Sequence, residues 1–123
     1  MIAVSLISLV DDDPSVRESL PLLLTQFGYT VRAFAAADEF LASDALNHTR
    51  CLILDVAMPG MSGPELQQEL APREMRIPII FISAQSDETL RSELLARGAV
   101  DFLLKPFRDT ALLEAVRKAL RKS

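Results

Sequence analysis

The sequence has 123 residues, 50% of them hydrophobic and 24% charged, which suffices for one compact domain spanning 1–123 and is too short for two ordinary ones. A net charge of −4 argues against a broad phosphate-gripping surface, and the single cysteine, Cys51, excludes an intrachain disulfide or a cysteine-built metal cluster. The N-terminal "MIAVSLISLVDDD" has no basic region before its apolar run, and nothing approaches about eighteen uninterrupted apolar residues, so no export or membrane insertion is expected and the setting reads as cytoplasmic.

Short apolar runs rich in Val, Ile and Phe alternate along the chain with longer segments of helical period. Residues 5–10 read as a buried strand that runs directly into Asp11, Asp12 and Asp13. Carboxylates about 5 Å apart at an effective dielectric of about 20 repel by about 3 kcal/mol per pair, so something must compensate the triplet. Asp13 followed by Pro14 is a cap and a first-turn proline, opening a helix over 14–27. Its apolar stripe is Val16, Leu20, Leu23, Leu24 and Phe27, and Gly28 stops it. A second strand follows at 30–34 and a third at 51–54, which ends on Asp55. In "SGPE", Ser62 and Glu65 have the spacing of a capping box. The fourth strand, 79–82, meets Ser83; "SDETLRSELLARG" is a helix closed by Gly98; the fifth strand, 102–104, meets Lys105. The last helix, 109–121, turns Leu112, Leu113, Val116 and Leu120 toward the core.

Five strands alternating with five helices imply an α/β, three-layer, doubly wound (βα)5 fold with a five-stranded parallel sheet covered on both faces. Ligands of such sheets bind beyond the carboxyl ends of the strands. The polar residues expected to converge there are Asp11 to Asp13, Asp55, Ser83 and Lys105. Carboxylates without His or Cys make a hard oxygen site suited to Mg²⁺ rather than zinc or copper, and a metal would answer the repulsion of the triplet. A carboxylate nucleophile, a cation, a lysine and a hydroxyl are sufficient for in-line phosphoryl transfer, which is mostly positioning and charge neutralisation. Each motif alone also has a plain structural reading: "DDDP" as a helix cap, Asp55 in a local backbone bond, Ser83 capping the next helix, "KPF" as a turn. Their joint placement at four strand ends favours the site.

These residues resemble the receiver domains of two-component response regulators, through "SLVDDDPSVRESL", "LILDVAMPGMSG", "IIFISAQ" and "GAVDFLLKPF". Within that family the chain is most similar to receivers that precede a helix-turn-helix DNA-binding domain. The resemblance implies a flavodoxin-like strand order 2-1-3-4-5. It also implies that Asp55 accepts a phosphoryl group from a phosphohistidine of a sensor histidine kinase, and that Asp11, Asp12, Asp55 and the backbone carbonyl of Ala57 hold Mg²⁺, or Mn²⁺ in its place. Lys105 would pair with the phosphoryl group, Ser83 and Phe102 would be the switch residues, Ala84 the small neighbour leaving room for phosphate, and Lys105 to Pro106 a cis peptide. Phe102 stands where tyrosine is frequent in the family, so an inward ring would gain no hydroxyl bond; Ala57 and Gln85 occupy positions that tune phosphoryl lifetime there. A homodimer through the face of helix 4, strand 5 and helix 5 is implied, with DNA reached only through an output domain absent from this chain.

His48, Cys51, Met58 and Met61 are assigned no chemistry. His48 and Cys51 fall at the start of the third strand, the edge opposite the aspartates, and the two thioethers are poor magnesium ligands better read as packing. Two other functions compete. A haloacid-dehalogenase-like phosphatase wants a second aspartate two residues after its nucleophile, where Ala57 stands, and a nucleophile ending its first strand. A degenerate receiver serving only as a docking module would not be expected to keep Asp11, Asp12, Asp55, Ser83 and Lys105 together.

Overall fold

The computed structural model describes residues 5–73 and 76–122; residues 1–4, which carry part of the export reading, and Ser123 lie outside the described residues. Five strands, β1 (Leu6–Val10), β2 (Thr30–Phe34), β3 (Thr49–Asp55), β4 (Ile79–Ser83) and β5 (Asp101–Leu104), pair in parallel in the order β2-β1-β3-β4-β5. The helices between and after them are α1 (Pro14–Gln26), α2 (Ala37–Leu41), α3 (Gly63–Leu70), α4 (Glu88–Ala96) and α5 (Asp109–Lys122), with short 3₁₀ turns at Asp44–Asn47 and Ala71–Arg73. This is the expected doubly wound architecture and the expected order.

Side-chain alternation along buried strands divides the core into two layers. Leu52 and Leu54 of β3 face one side, where Val10, Phe81 and Phe102 meet Phe40 of α2, Leu66 of α3 and Leu94 of α4. Cys51 and Ile53 face the other, where Ile7, Leu9, Ile80 and Ile82 meet Leu24 of α1 and Leu112 and Val116 of α5. Ser8 is a buried polar residue in the middle of β1; its hydroxyl is 2.7 Å from that of Thr49, which donates to Ala45 O.

The helix ends follow the local chemistry. Asp13 caps α1 by accepting from Ser15 N–H, and Ser62 and Glu65 form the reciprocal capping box of α3. Asp87, rather than Ser83, caps α4 through Leu90 N–H. Gly28 at φ +88° closes α1 in a Schellman motif, with Tyr29 N–H on Leu24 O and Gly28 N–H on Thr25 O. That geometry corrects one expectation: the helix ends at Gln26, so Phe27 is its C-cap, swings off the apolar stripe and is 52% exposed. The third strand is also longer than its apolar run, because Thr49 pairs with Leu6 and Asp55 with Ile82.

Candidate functional site

Because all five strands run the same way, their carboxyl ends lie along one edge, and the loops that leave them carry the predicted polar residues. The backbone continues the sheet ladder into that edge: Asp11 N–H bonds Phe34 O, Val56 N–H bonds Ile82 O and Lys105 N–H bonds Ser83 O. Carboxylate oxygens of Asp11, Asp12 and Asp55 lie within 4.8 Å of one another, and Lys105 Nζ reaches Asp11 Oδ2 at 2.9 Å and Asp55 Oδ1 at 3.5 Å. Asp11 and Asp55 are buried, Asp12 is exposed, and the Lys105 side chain is 20% exposed.

The aspartate triplet is relieved in three different ways. Asp13 leaves the cluster to cap α1, and Asp11 takes both the Lys105 ammonium and the Asp13 N–H, at 3.0 Å. Asp12 faces solvent. Asp55 is the least satisfied: burial, followed by the negative charge of Asp11, pushes its carboxyl up to about 7, and Lys105 only partly opposes this. Burial alone would push the Lys105 ammonium down, but its hydrogen bond to Asp11 and the charges of Asp55 and Asp11 outweigh that and hold it above its ordinary value. A close set of three carboxylates, one of them with its charged form disfavoured, fits a small divalent cation bound through oxygen.

Of the other predicted residues, Ser83 is buried at the end of β4, and its hydroxyl is engaged with the Gln85 backbone, 3.1 Å from Gln85 N and 3.0 Å from Gln85 O. Phe102 is buried, whereas Ala57, Ala84, Gln85 and Pro106 are exposed at the same edge. The Lys105 to Pro106 peptide is cis. Met58 is buried in the core and Met61 packs against it. His48 is exposed beside Thr30 and Thr49 at the opposite edge, and Cys51 is fully buried, its thiol pushed up to about 12 by desolvation.

Two residues of this edge escaped the sequence reading. A Cβ built on Gly63 would collide with the carbonyl oxygen of Asp55 and lie 3.2 Å from Phe81 Cε1, so the α3 N-terminus can approach the end of β3 only through glycine. The signal lies in "SGPE", where the glycine stands directly after the capping serine. Arg17 Nη1 donates to Asp11 O at 2.9 Å, which no spacing rule announces.

The sequence profile of the response regulator receiver domain matches residues 7–117. The chain belongs to this family. Receiver domains of the family serve two-component signalling, interact with histidine kinases, generally use Mg²⁺ and are not classical enzymes. This receiver is 44% identical over 116 residues to the transcriptional regulatory protein TdiR of Thauera aromatica, covering 94% of the receiver and 51% of TdiR. It is 45% identical over 118 residues to nodulation protein W of Bradyrhizobium diazoefficiens, covering 96% of the receiver and 52% of that protein. The chain thus spans about half the length of the curated relatives it matches. The crystal structure of FixJ-N superposes with a TM-score of 0.88 at 36% identity, covering 99% of the receiver and 98% of FixJ-N. Membership in this family removes the haloacid-dehalogenase-like alternative; Asp55 ends the third strand, not the first. Among the described residues, no helix is long and apolar enough to cross a membrane.

Proposed function

We propose that residues 1–123 form one receiver unit in which Asp55 takes a phosphoryl group from a phosphohistidine of a sensor histidine kinase. The observation that carries this reading is the meeting of Asp11, Asp12 and Asp55 carboxylates within 4.8 Å, with Lys105 Nζ against two of them. A carboxylate oxygen of Asp55 bonds to phosphorus as the P–N bond to imidazole breaks, and the departing histidine keeps the electron pair. Asp55 must be ionised to attack, and its burial beside Asp11 opposes this until positive charge enters the site.

Asp11, Asp12, Asp55 and the Ala57 carbonyl are the groups that would hold Mg²⁺, or Mn²⁺ in its place. When bound, the cation neutralises carboxylate and phosphoryl charge together. Lys105, already between Asp11 and Asp55, would exchange part of its aspartate contact for a phosphoryl oxygen. Ser83 would surrender its Gln85 backbone partners to do the same, moving the loop through Ala84 and Gln85, which is exposed and free of bulk at Ala84. Lys105 and Pro106 lead directly from β5, whose Phe102 would follow that shift as the equilibrium between two arrangements moves. The same residues would assist autophosphorylation by small donors and later hydrolysis.

The output face proposed is α4, β5 and α5, as a homodimer contact, where Leu104 is 43% exposed. Sedimentation of the phosphorylated and free forms at one concentration tests it, and equal masses would reject it. The setting proposed is cytoplasmic, and, since TdiR is named a transcriptional regulatory protein, the regulated process proposed is transcription, with DNA contacted through another domain of the regulator. Incubation with phosphoramidate, with Mg²⁺ or with chelator, followed by intact mass of wild type and Asp55→Asn, tests the central claim. One hydroxylamine-labile phosphoryl adduct that requires both Mg²⁺ and Asp55 is expected. No adduct under any condition would leave a docking module without phosphoryl chemistry.

A further inference from the structure

Arg17 lies outside the carboxylate cluster, and the chemistry proposed above makes no use of it. From the beginning of α1 its Nη1 donates to Asp11 O at 2.9 Å, while its own N–H bonds Asp13 O at 3.2 Å. The side chain is partly buried, so the contact is shielded from competing water. A carbonyl oxygen shares a rigid plane with the nitrogen and Cα of the next residue. Holding Asp11 O therefore fixes the peptide that leads into Asp12.

The three carboxylates differ in what else locates them. Asp11 is fully buried and held by Lys105 and by Asp13 N–H; Asp55 is buried at the end of a central strand. Asp12 is exposed, and its position depends on the loop between β1 and α1. A guanidinium is suited to such a clamp because its donors lie in a planar fork on a long stem.

Charge and geometry act in opposite directions here. As a bare positive charge beside the cluster, Arg17 would weaken binding of a second cation; as a clamp on the loop, it strengthens it. We propose that Arg17 is a positioning residue for the cation site, holding the Asp11 carbonyl so that the carboxylate of Asp12 stays with those of Asp11 and Asp55. This inference rests on the Mg²⁺ reading given above.

The test is calorimetric titration of Mg²⁺ into the full chain, with the spectral width of bound Mn²⁺ by electron paramagnetic resonance and the urea midpoint measured in parallel. Arg17→Met keeps the stem and removes both charge and donors; Arg17→Lys keeps a long charged donor. We expect the Met variant to raise the Mg²⁺ Kd about tenfold, equivalent to about 1.4 kcal/mol, and to broaden the Mn²⁺ signal, while the Lys variant recovers most of the loss. Should the Met variant not fold, Arg17→Gln, whose shorter side chain withdraws the donor, gives the same reading. Unchanged or tighter Mg²⁺ binding in the Met or Gln variant overturns the clamp, even if the urea midpoint falls, because a merely structural contact would move stability alone. A wild type that takes up no Mg²⁺ would refute the cation site itself and this inference with it.

Discussion

Asp55 should destabilise the metal-free protein, and removing its charge should show by how much. Its carboxyl is pushed up to about 7 from the ordinary aspartate value of about 3.9, first by burial and then by Asp11, so between those pH values the folded state holds a proton that the unfolded state has released. Stability contributed by that proton is fully present below about pH 4, declines as pH rises and is gone above about pH 7. The difference of about 3 pKa units sets a ceiling of about 4 kcal/mol. Coulomb repulsion between Asp11 and Asp55, at up to 4.8 Å and an effective dielectric of about 20, supplies about 3 kcal/mol of the same sign. At the same dielectric the attraction of Lys105, 3.5 Å from Asp55, is about 5 kcal/mol and cancels that repulsion, so desolvation by burial carries the expected net penalty of about 1–3 kcal/mol. Asp55→Asn keeps the shape, and Lys105 keeps Asp11 at 2.9 Å. In chelator, urea unfolding followed by circular dichroism should find the Asn variant more stable by about 1–3 kcal/mol near pH 8 and equal to wild type near pH 4. Saturating Mg²⁺ should narrow the gap by stabilising wild type more. An Asn variant equal to or weaker than wild type at the higher pH would mean that the ionised Asp55 is already satisfied by the fold, and the electrostatic account would be wrong.

Lys105→Met should leave Asp11 buried without its cation and cost about 3–5 kcal/mol in chelator, with Mg²⁺ restoring part of it in the same melts. Gly63→Ala should lower the urea midpoint by the equivalent of about 1–3 kcal/mol, because its Cβ meets the Asp55 carbonyl and the ring of Phe81; an unaltered midpoint would show that α3 can shift freely. Gly98→Ala, at φ +106° but with nothing near its Cβ, should cost about 1–2 kcal/mol through backbone strain alone and leave Mg²⁺ affinity unchanged by titration. Phe81→Ala in the fully buried layer between β4 and α3 should cost about 3–5 kcal/mol, read from the same denaturation curves.

The alternation of strands and helices was legible in the residues alone, because Ile, Val and Leu runs bounded by caps and glycines leave few alternatives. So were the residues that stand at the strand ends, since Asp55, Ser83 and Lys105 each follow or end an apolar run. Local chemistry was equally legible: Asp13 caps α1 and Ser62 with Glu65 caps α3 through bonds made within three residues. How the charges are shared depends instead on contacts between distant parts of the chain. Lys105 and Asp11 are 94 positions apart, and it is the parallel order β1-β3-β4-β5 that brings them to 2.9 Å and divides the aspartate triplet among a buried ion pair, an exposed carboxylate and a helix cap. The same holds where Phe27 turned outward and Gly63 was found to be obligatory, because the exit of a Schellman turn and the approach of α3 to Asp55 depend on the paths of neighbouring backbone, which periodicity does not encode.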